Sequence, residues 1–437
     1  MIFDDDTLPR LLGSIDANQL VLLCGAGLSI PSPSDLMSAV SVSRACYDKY
    51  APLPLAPALR DDIDQLAGHF HATHQFKSVF IGHLVPWNDL TGKPNHGHAA
   101  VADFLICRAA EAALSANFDT LIENWANDQK IAMRGALDGT EAMAFAHQTS
   151  PLVKFHGCHF REREETLWTQ GQLGEPKIAG RVTSCSHWMG LALPGKDLLV
   201  VGFWTDWGYL NDVFANALNV AAFASVTVVD PATSAALQAK APNLWTRLSG
   251  GTANFRHIQA SGADALDELR TAFSKVWLKR FYAMGQALIV ADGKTYSAVD
   301  PNMTGEDLYN SRRDAEGVPY NRAARLKQPP AHGEEAAFFH HLLLLASATR
   351  NGSWYDHGGR RIRVVQGAGQ SLNVVRQRYK EPPALPQPDL VVCAGSVDLN
   401  TPGTIVATGA GASIIRPAPG GTAHWVTLEQ ARGELSI

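Results

Sequence analysis

Short apolar runs that end in glycine or in polar turns recur along the first 280 residues of the chain. The run Leu20–Cys24 is apolar at every position and leads directly into Gly25-Ala26-Gly27. A strand that is apolar on both faces is typical of a parallel sheet, because helices cover both of its sides. Similar runs stand at 112–116, 151–155, 198–201, 226–229 and 255–258, with helical patterns between them such as 210–222 and 263–276. This alternation predicts an α/β fold with a doubly wound, Rossmann-like parallel sheet.

Two parts of the chain depart from this alternation. Residues 36–90 carry helical patterns interrupted by prolines and predict a helical insertion within a first domain that spans 1–280. In residues 281–437 glycine and proline become frequent, which predicts a smaller α+β accessory domain for assembly or regulation. Its expected elements are strands at 287–290, 362–365, 390–393 and 404–407 and a helix at 334–347.

The composition is that of a folded protein. Of 437 residues, 46% are hydrophobic and 18% are charged, and the formal net charge is −5. Such a chain is long enough for two or three folded domains. No apolar run approaches the roughly 18 residues of a membrane span, and the acidic first six residues lack the pattern of a signal peptide. The sequence therefore predicts a cytoplasmic protein without membrane association, and it leaves direct nucleic-acid binding open.

The first candidate binding motif is Gly25-Ala26-Gly27-Leu28-Ser29, which follows the first predicted strand. Glycines let the backbone approach a ligand closely, and a helix that begins there offers N–H groups to a phosphate. A G-x-G turn also serves packing between elements, and the third glycine of the usual dinucleotide fingerprint is missing. Phosphate binding and packing both stay open as interpretations.

Polar side chains follow later strands at the sheet edge where open α/β folds bind ligands. Asn117 and Asp119 follow the second strand, His156 the third and Asp230 the fifth. The histidine is a candidate acid or base because imidazole titrates near neutral pH. Asp119 and Asp230 have an alternative role as helix caps, and His156 has one as a structural residue.

These motifs, taken in order, resemble the sirtuin-like family, the silent-information-regulator type, over roughly residues 15–275. They are the G-A-G-x-S loop, the A-N-F-D turn at 116–119, the K-x-H-G turn at 154–157 and the G-F-x-x-D turn at 202–206, whose aspartate stands at 206. Residues 117–123 are similar to the family pattern N-[FY]-D-x-L-[IL]-E, and Asn95-His96-Gly97-His98 precedes them.

The resemblance implies roles for nine residues of this chain. Gly25, Ala26, Gly27 and Ser29 would cradle the pyrophosphate of NAD⁺, Gly202 would face phosphate, and Asp230 would reach the adenosine ribose. Asn117 and Asp119 would line the nicotinamide-ribose pocket, and His156 would contact the ribose as a base, so these three are the candidate catalytic residues. The chain departs from the family at Trp204, where a serine is usual, and in the segment after Ser29, where an arginine is missing.

The cysteines argue against a structural zinc site. A zinc ribbon takes four ligands, normally from two C-x-x-C pairs. None of the six cysteines forms such a pair, and between His156 and Gly202 the chain offers only Cys158, His159, Cys185 and His187. We therefore expect reduced thiols and no metal. By resemblance the chain is closer to the zinc-free bacterial branch, which includes NAD-depleting effectors of anti-phage defence.

The sequence thus predicts an NAD⁺ hydrolase that cleaves the nicotinamide–ribose bond and gives nicotinamide and ADP-ribose. One alternative is an NAD-dependent protein deacylase or ADP-ribosyltransferase, and another is a non-catalytic sensor of NAD or ADP-ribose. An NAD-depleting effector needs an inactive state, so we expect a homo-oligomer. The short accessory domain resembles that of sirtuin-like subunits that assemble with a HerA-type ATPase or helicase, and the resemblance implies such a partner here. The arginines at 360, 361 and 363 are expected on a solvated strand edge.

Overall fold

The computed structural model describes residues 1–50, 54–205, 223–250, 254–319, 322–379, 387–395, 405–407, 415–417 and 423–437. The helix predicted at 210–222 lies outside these residues. The chain divides into two compact units, Met1–Arg270 and Thr271–Ile437.

The described residues of the first unit form a six-stranded parallel sheet. Its strands are β1 (Leu20–Cys24), β2 (Ala112–Ser115), β3 (Leu152–Val153), β4 (Asp197–Val201), β5 (Ser225–Asp230) and β6 (Phe255–Gln259). They stand in the order β3-β2-β1-β4-β5-β6. This is the order of dinucleotide-binding folds, in which the chain reverses its direction of winding between β1 and β4.

The helices that the structure describes in this unit lie before the first strand and between the strands. They are α1 (Thr7–Asp16), α2 (Ala39–Lys49), α3 (Ile63–Ala72), α4 (His96–Ile106), α5 (Leu121–Asp128), α6 (Gly139–Phe145), α7 (Pro176–Ala192), α8 (Ser234–Lys240) and α9 (Pro242–Gly250). A further helix, α10 (Gly262–Ala283), spans the division between the units.

Helices cover both faces of the sheet. Leu23 of β1 lies in one hydrophobic cluster with Met189 of α7 and Leu244 of α9. On the opposite face, Arg10 of α1 donates a hydrogen bond of 2.6 Å from Nη2 to Thr227 Oγ1 of β5. Because successive residues of a strand point to opposite faces, a strand buried by both helical layers is mostly apolar, and a polar side chain such as that of Thr227 is hydrogen-bonded. The predicted doubly wound α/β fold is confirmed.

The segment at 36–90 is helical and has its own apolar core. It contains α2, α3 and a π-helix at Phe76–Leu84, and its core includes Val42, Cys46, Leu66, Phe70, Phe80 and Trp87. Trp168, from the segment after β3, joins this core. The ring of Trp168 lies 4.5 Å from that of Phe118, measured between centroids. The insertion therefore packs against the turn that carries Asn117.

The described residues of the second unit contain a mixed five-stranded sheet. Its strands are β7 (Thr349–Asn351), β8 (Trp354–His357), β9 (Arg360–Gln366), β10 (Leu390–Ala394) and β13 (His424–Thr427). Two further strands, β11 (Ile405–Ala407) and β12 (Ile415–Pro417), form a separate antiparallel pair. The order is β13-β10-β9-β8-β7, and β9, β10 and β13 are parallel. The helices of this unit are α11 (Gln286–Ala291), α12 (Gly305–Glu316), α13 (Glu334–Leu345), α14 (Leu372–Tyr379) and α15 (Leu428–Leu435).

Two expectations for this part of the chain are wrong. The strand predicted at 287–290 is part of α11, because a short apolar run does not distinguish the two structures by periodicity. In α11 only one face is covered, with Ile289 buried and Val290 60% exposed. The arginine expected on a solvated edge at 363 is 4% exposed, because β9 lies inside the sheet between β10 and β8.

Among the residues described, we find no helix with the length and apolar character that crossing a membrane would require.

Candidate functional site

The loops after β1 and β4 contact each other, backbone against backbone, where the sheet changes its direction of winding. A Cβ on Gly25 would lie 2.5 Å from the carbonyl oxygen of Gly202, and a Cβ on Gly27 would lie 2.8 Å from its Cα. Gly202 itself has a φ of +62°, and a Cβ there would lie 2.4 Å from Leu28 N. All three positions therefore need glycine for packing alone, which is one of the two roles considered for the G-A-G turn.

The same loops exchange hydrogen bonds. The N–H of Gly25 donates to Val201 O at 3.0 Å, and the N–H of Gly27 donates to Gly202 O at 2.9 Å. These two donors are engaged within the chain. The close approach fixes the path of the loop from Ala26 to Ser29 at the carboxyl end of β1, where open α/β sheets bind ligands.

Asn117 follows β2 at the same edge and is held in one orientation. Its Nδ2 donates to Gly25 O and to Ser29 Oγ, both at 3.1 Å. Because both amide hydrogens are used in this way, the amide group is not free to flip. The side chain is 8% exposed, and Oδ1 has no hydrogen-bond partner among the described residues. A buried acceptor without a partner is costly and points to a ligand or a water at this position.

Ser29 connects Asn117 to Asp119 and His98. Ser29 Oγ donates to Asp119 Oδ2 at 2.9 Å and lies 3.1 Å from His98 Nε2. The N–H of Asn95 donates to His98 Nδ1, so Nδ1 is the acceptor of the ring and Nε2 carries the proton. Ser29 Oγ thus accepts from His98 and Asn117 and donates to Asp119. A single assignment of protons satisfies the whole cluster.

His98 is neutral in this arrangement. It is fully buried, and desolvation lowers its pKa to about 4, against a smaller opposing effect of Asp119. Protonation at Nδ1 would break the hydrogen bond with Asn95, which caps α4. In the sequence, His98 stands out only as part of the N-H-G-H segment. Its contact with Ser29 joins residues 69 positions apart, which a local sequence pattern does not indicate.

We expect His98 to make the stability of the first unit depend on pH. Its pKa is lower in the folded chain than in the unfolded chain, so the stabilisation is complete above pH 6.5 and is lost as the pH falls toward 4. The loss at pH 4 is on the order of 3 kcal/mol. In urea titrations monitored by hydrogen exchange of β1 and β2, His98→Asn should reduce the slope of unfolding free energy against pH. His147→Gln, at an exposed position, should leave the wild-type slope; equal slopes in all three proteins would contradict the prediction.

His156 lies after β3 on the other side of Phe118. The two rings stack with centroids 6.1 Å apart, and the His156 ring forms a hydrogen bond with the Ala116 backbone. The side chain is 2% exposed. Desolvation and then the nearby Arg181 lower its pKa to about 3. The imidazole is therefore neutral at pH 7, which suits hydrogen bonding to a hydroxyl and makes it a weak base.

A buried lysine supports the turn from Asn117 to Glu123. Lys154 Nζ donates to Asp119 O and lies 3.1 Å from Glu123 Oε1. Burial acts to lower the pKa of Lys154, and the larger combined effect of Glu123, Cys158 and Asp119 raises it. The lysine thus stays charged while almost fully buried. It was visible in the sequence only as the K of K-x-H-G.

Asp119 and Asp230 both contact backbone N–H groups. Asp119 Oδ1 accepts from Leu121 N at 3.1 Å while Oδ2 holds Ser29. Asp230, at the end of β5 and beyond β4, accepts from Ala232 N at 2.8 Å. The helix that follows begins at Ser234 and has Thr233 as its cap, so Asp230 does not cap it. The structure brings Gly25, Gly27, Ser29, Asn117, Asp119 and Gly202 together by direct contacts and places Asp230 two strands away from β1.

Trp204 has a structural role in this fold. It is 6% exposed, lies in the cluster beneath α8, and donates from Nε1 to Leu237 O at 2.8 Å. The aspartate of the same motif, at 206, lies outside the described residues.

The six cysteines of the chain are buried thiols. Cys158 Sγ lies 3.6 Å from Lys154 Nζ, and Cys185 Sγ donates to Leu137 O at 3.4 Å. Within the described ranges no group of three or more His, Cys, Asp or Glu side chains is placed to hold a metal ion.

Comparison with known proteins finds likeness only at the level of structure. No protein-family model and no curated protein matches the sequence. A solved Sir2 homologue in complex with NAD is 14% identical, with 60% of this chain and 91% of that chain covered and a TM-score of 0.34. A mutant Sir2 homologue in complex with ADP-ribose is 12% identical, with 61% and 95% covered and a TM-score of 0.36. At such low identities and TM-scores the comparisons do not establish the fold, so the doubly wound assignment rests on the strand order of the sheet.

Proposed function

We propose that this protein is an NAD⁺ hydrolase that cleaves the bond between nicotinamide and ribose and releases nicotinamide and ADP-ribose. The observation that carries the proposal is the buried Oδ1 of Asn117, which no described residue contacts with a hydrogen bond, at the carboxyl edge of β2 beside the loop from Gly25 to Ser29. A dinucleotide would lie along this edge, with NAD⁺ as the substrate.

The chemistry asks for orientation rather than strong acid catalysis. Water adds to C1′ of the ribose, the glycosidic bond breaks, and nicotinamide leaves as a neutral molecule with the bonding electron pair. One proton of the water stays on the new C1′ hydroxyl, and the other is released to solvent. The transition state carries positive charge on the sugar, as in other glycoside cleavages. A fixed acceptor such as Asn117 Oδ1 positions the water or a ribose hydroxyl at no cost in reorganisation.

The neighbouring groups complete this arrangement. Asp119 accepts a hydrogen bond from the Ser29 hydroxyl, which accepts one from Asn117 Nδ2, so the carboxylate fixes the orientation of the amide. The carboxylate also adds negative charge near the developing cation. His156, which is neutral and buried, offers a hydrogen bond to a ribose hydroxyl.

Incubation of the purified full-length chain with NAD⁺ alone tests the proposal. Release of nicotinamide without an acyl-peptide or acceptor protein, quantified by chromatography, is the expected result. His156→Ala should reduce the rate while circular dichroism stays unchanged. Turnover that requires an acyl-peptide or a protein acceptor would instead favour a deacylase or an ADP-ribosyltransferase, and binding of NAD⁺ without turnover under all conditions would favour a sensor.

We further propose that this activity serves anti-phage defence in the cytoplasm and that the second unit controls it through a homo-oligomer or a HerA-type ATPase. The assay is therefore run with and without proteins encoded beside this one. A rate that is the same at all protein concentrations and with every such partner would remove this part of the proposal.

A further inference from the structure

Arg181 of α7 carries a buried charge that no described group pairs. The side chain is 8% exposed, and neither Nε nor Nη2 has a hydrogen-bond partner among the described residues. A guanidinium does not lose its proton in a protein. An unpaired buried cation is strongly destabilising, so its retention calls for an anion from outside the described chain.

The guanidinium lies beside the candidate catalytic histidine. Its Nη1 is 3.6 Å from the position that a Cβ on Gly157 would take, and Gly157 directly follows His156. The same charge contributes to the lowered pKa of His156. Arg181 therefore lies close to the segment that follows β3, whereas the loop from Gly25 to Ser29 lies at the end of β1.

The carboxylates near Arg181 already have other partners. Glu165 and Glu162 pair with Lys177 of α7. Asp138 caps α6, with its Oδ1 accepting from Glu141 N at 2.8 Å. These groups act on Arg181 through space, but none of them lies within ion-pair distance of it in the described chain.

We propose that Arg181 forms an oxyanion subsite next to His156 that binds a phosphate or carboxylate group. Two adjacent N–H donors on a planar, permanently charged group match the two oxygens of such an anion. The subsite goes beyond the hydrolysis of NAD⁺, because it recognises an anionic group that is either a separate small anion or part of a larger ligand. An anion bound there would also neutralise the charge that acts on His156.

The experiment measures binding, so it does not depend on turnover of NAD⁺. Phosphate and acetate are titrated into the full-length chain by calorimetry, with chloride keeping the ionic strength constant. Wild type should bind phosphate saturably, and Arg181→Gln should bind it at least about tenfold more weakly, as expected for the loss of a charged hydrogen-bonding partner. Arg163→Gln, which removes an exposed arginine stacked over Trp87, is the matched control and should bind as wild type does.

Further arms identify the source of the anion. Competition between ADP-ribose and phosphate that disappears in Arg181→Gln would assign the subsite to a phosphate of the dinucleotide. Independent binding of the two would assign it to a separate anion. In wild type, phosphate should also shift the His156 imidazole signals in NMR spectra, a readout that requires no variant to fold. Absence of saturable binding in wild type, or equal binding in Arg181→Gln, would overturn the proposal.

Discussion

Replacement of Asn117 by alanine is expected to lower the rate constant for NAD⁺ cleavage by about 100- to 1,000-fold, the usual cost of removing one fixed polar group that acts in the transition state. The side chain lies at the carboxyl edge of β2 with Oδ1 unpartnered among the described residues, so that the acceptor is available to substrate or water. The rate constant is measured as nicotinamide release at saturating NAD⁺.

Two further variants separate the catalytic effect from folding. Asn117→Asp keeps the shape but removes both Nδ2 donors, so it should lose activity by a similar factor, with a carboxylate facing Gly25 O. Asn124→Ala, on the exposed side of α5, should keep wild-type activity. Each lost hydrogen bond costs about 1 kcal/mol of stability, so Asn117→Ala should stay folded. A folded Asn117→Ala protein with a wild-type rate would exclude this residue from the site.

Replacement of Asp314 by alanine is expected to destabilise the second unit by about 3–5 kcal/mol, because it removes the carboxylate from a buried ion pair with an arginine. Arg363 of β9 contacts both oxygens of Asp314, with Nε to Oδ2 at 2.8 Å and Nη2 to Oδ1 at 2.6 Å. Both side chains are 5% exposed. Hydrogen exchange of the β9 and β10 amides reports the opening free energy of this unit.

The control for this prediction is an exposed ion pair between the same strand, β9, and α15. Arg360 pairs with Glu434 at 3.3 Å, where both side chains are about one-third exposed. Glu434→Ala should therefore change the opening free energy by only about 0–1 kcal/mol. The double variant Asp314→Leu, Arg363→Met should recover much of the stability lost in Asp314→Ala, since an apolar pair of similar volume tolerates burial. If Asp314→Ala protects these amides as well as wild type does, the ion pair is not a stabilising feature.

Much of the first unit could be predicted from local patterns. An apolar run such as Leu20–Cys24 predicts a buried strand, because a run that is apolar at every position is typical of a strand that is covered on both faces. The polar turns at Asn117 and His156 could be placed at one edge of the sheet, because parallel strands all end on the same side. The strand predicted at 287–290 was wrong, because four apolar residues fit a strand and one turn of a helix equally well.

The sequence by itself determined the class of the fold and indicated that Gly25, Ser29, Asn117, Asp119 and His156 follow strand ends, and the ligand that their order indicates stays a prediction. Only the tertiary structure showed that Gly25 and Gly202 need glycine because two loops touch, and that His98 and Lys154 support the site from other elements. It alone also revealed that Nε and Nη2 of the buried Arg181 have no hydrogen-bond partner among the residues that the structure describes. The reason is physical: backbone conformation and hydrophobic periodicity are local, whereas burial, hydrogen-bond partners and electrostatic environment depend on groups that are distant in the chain.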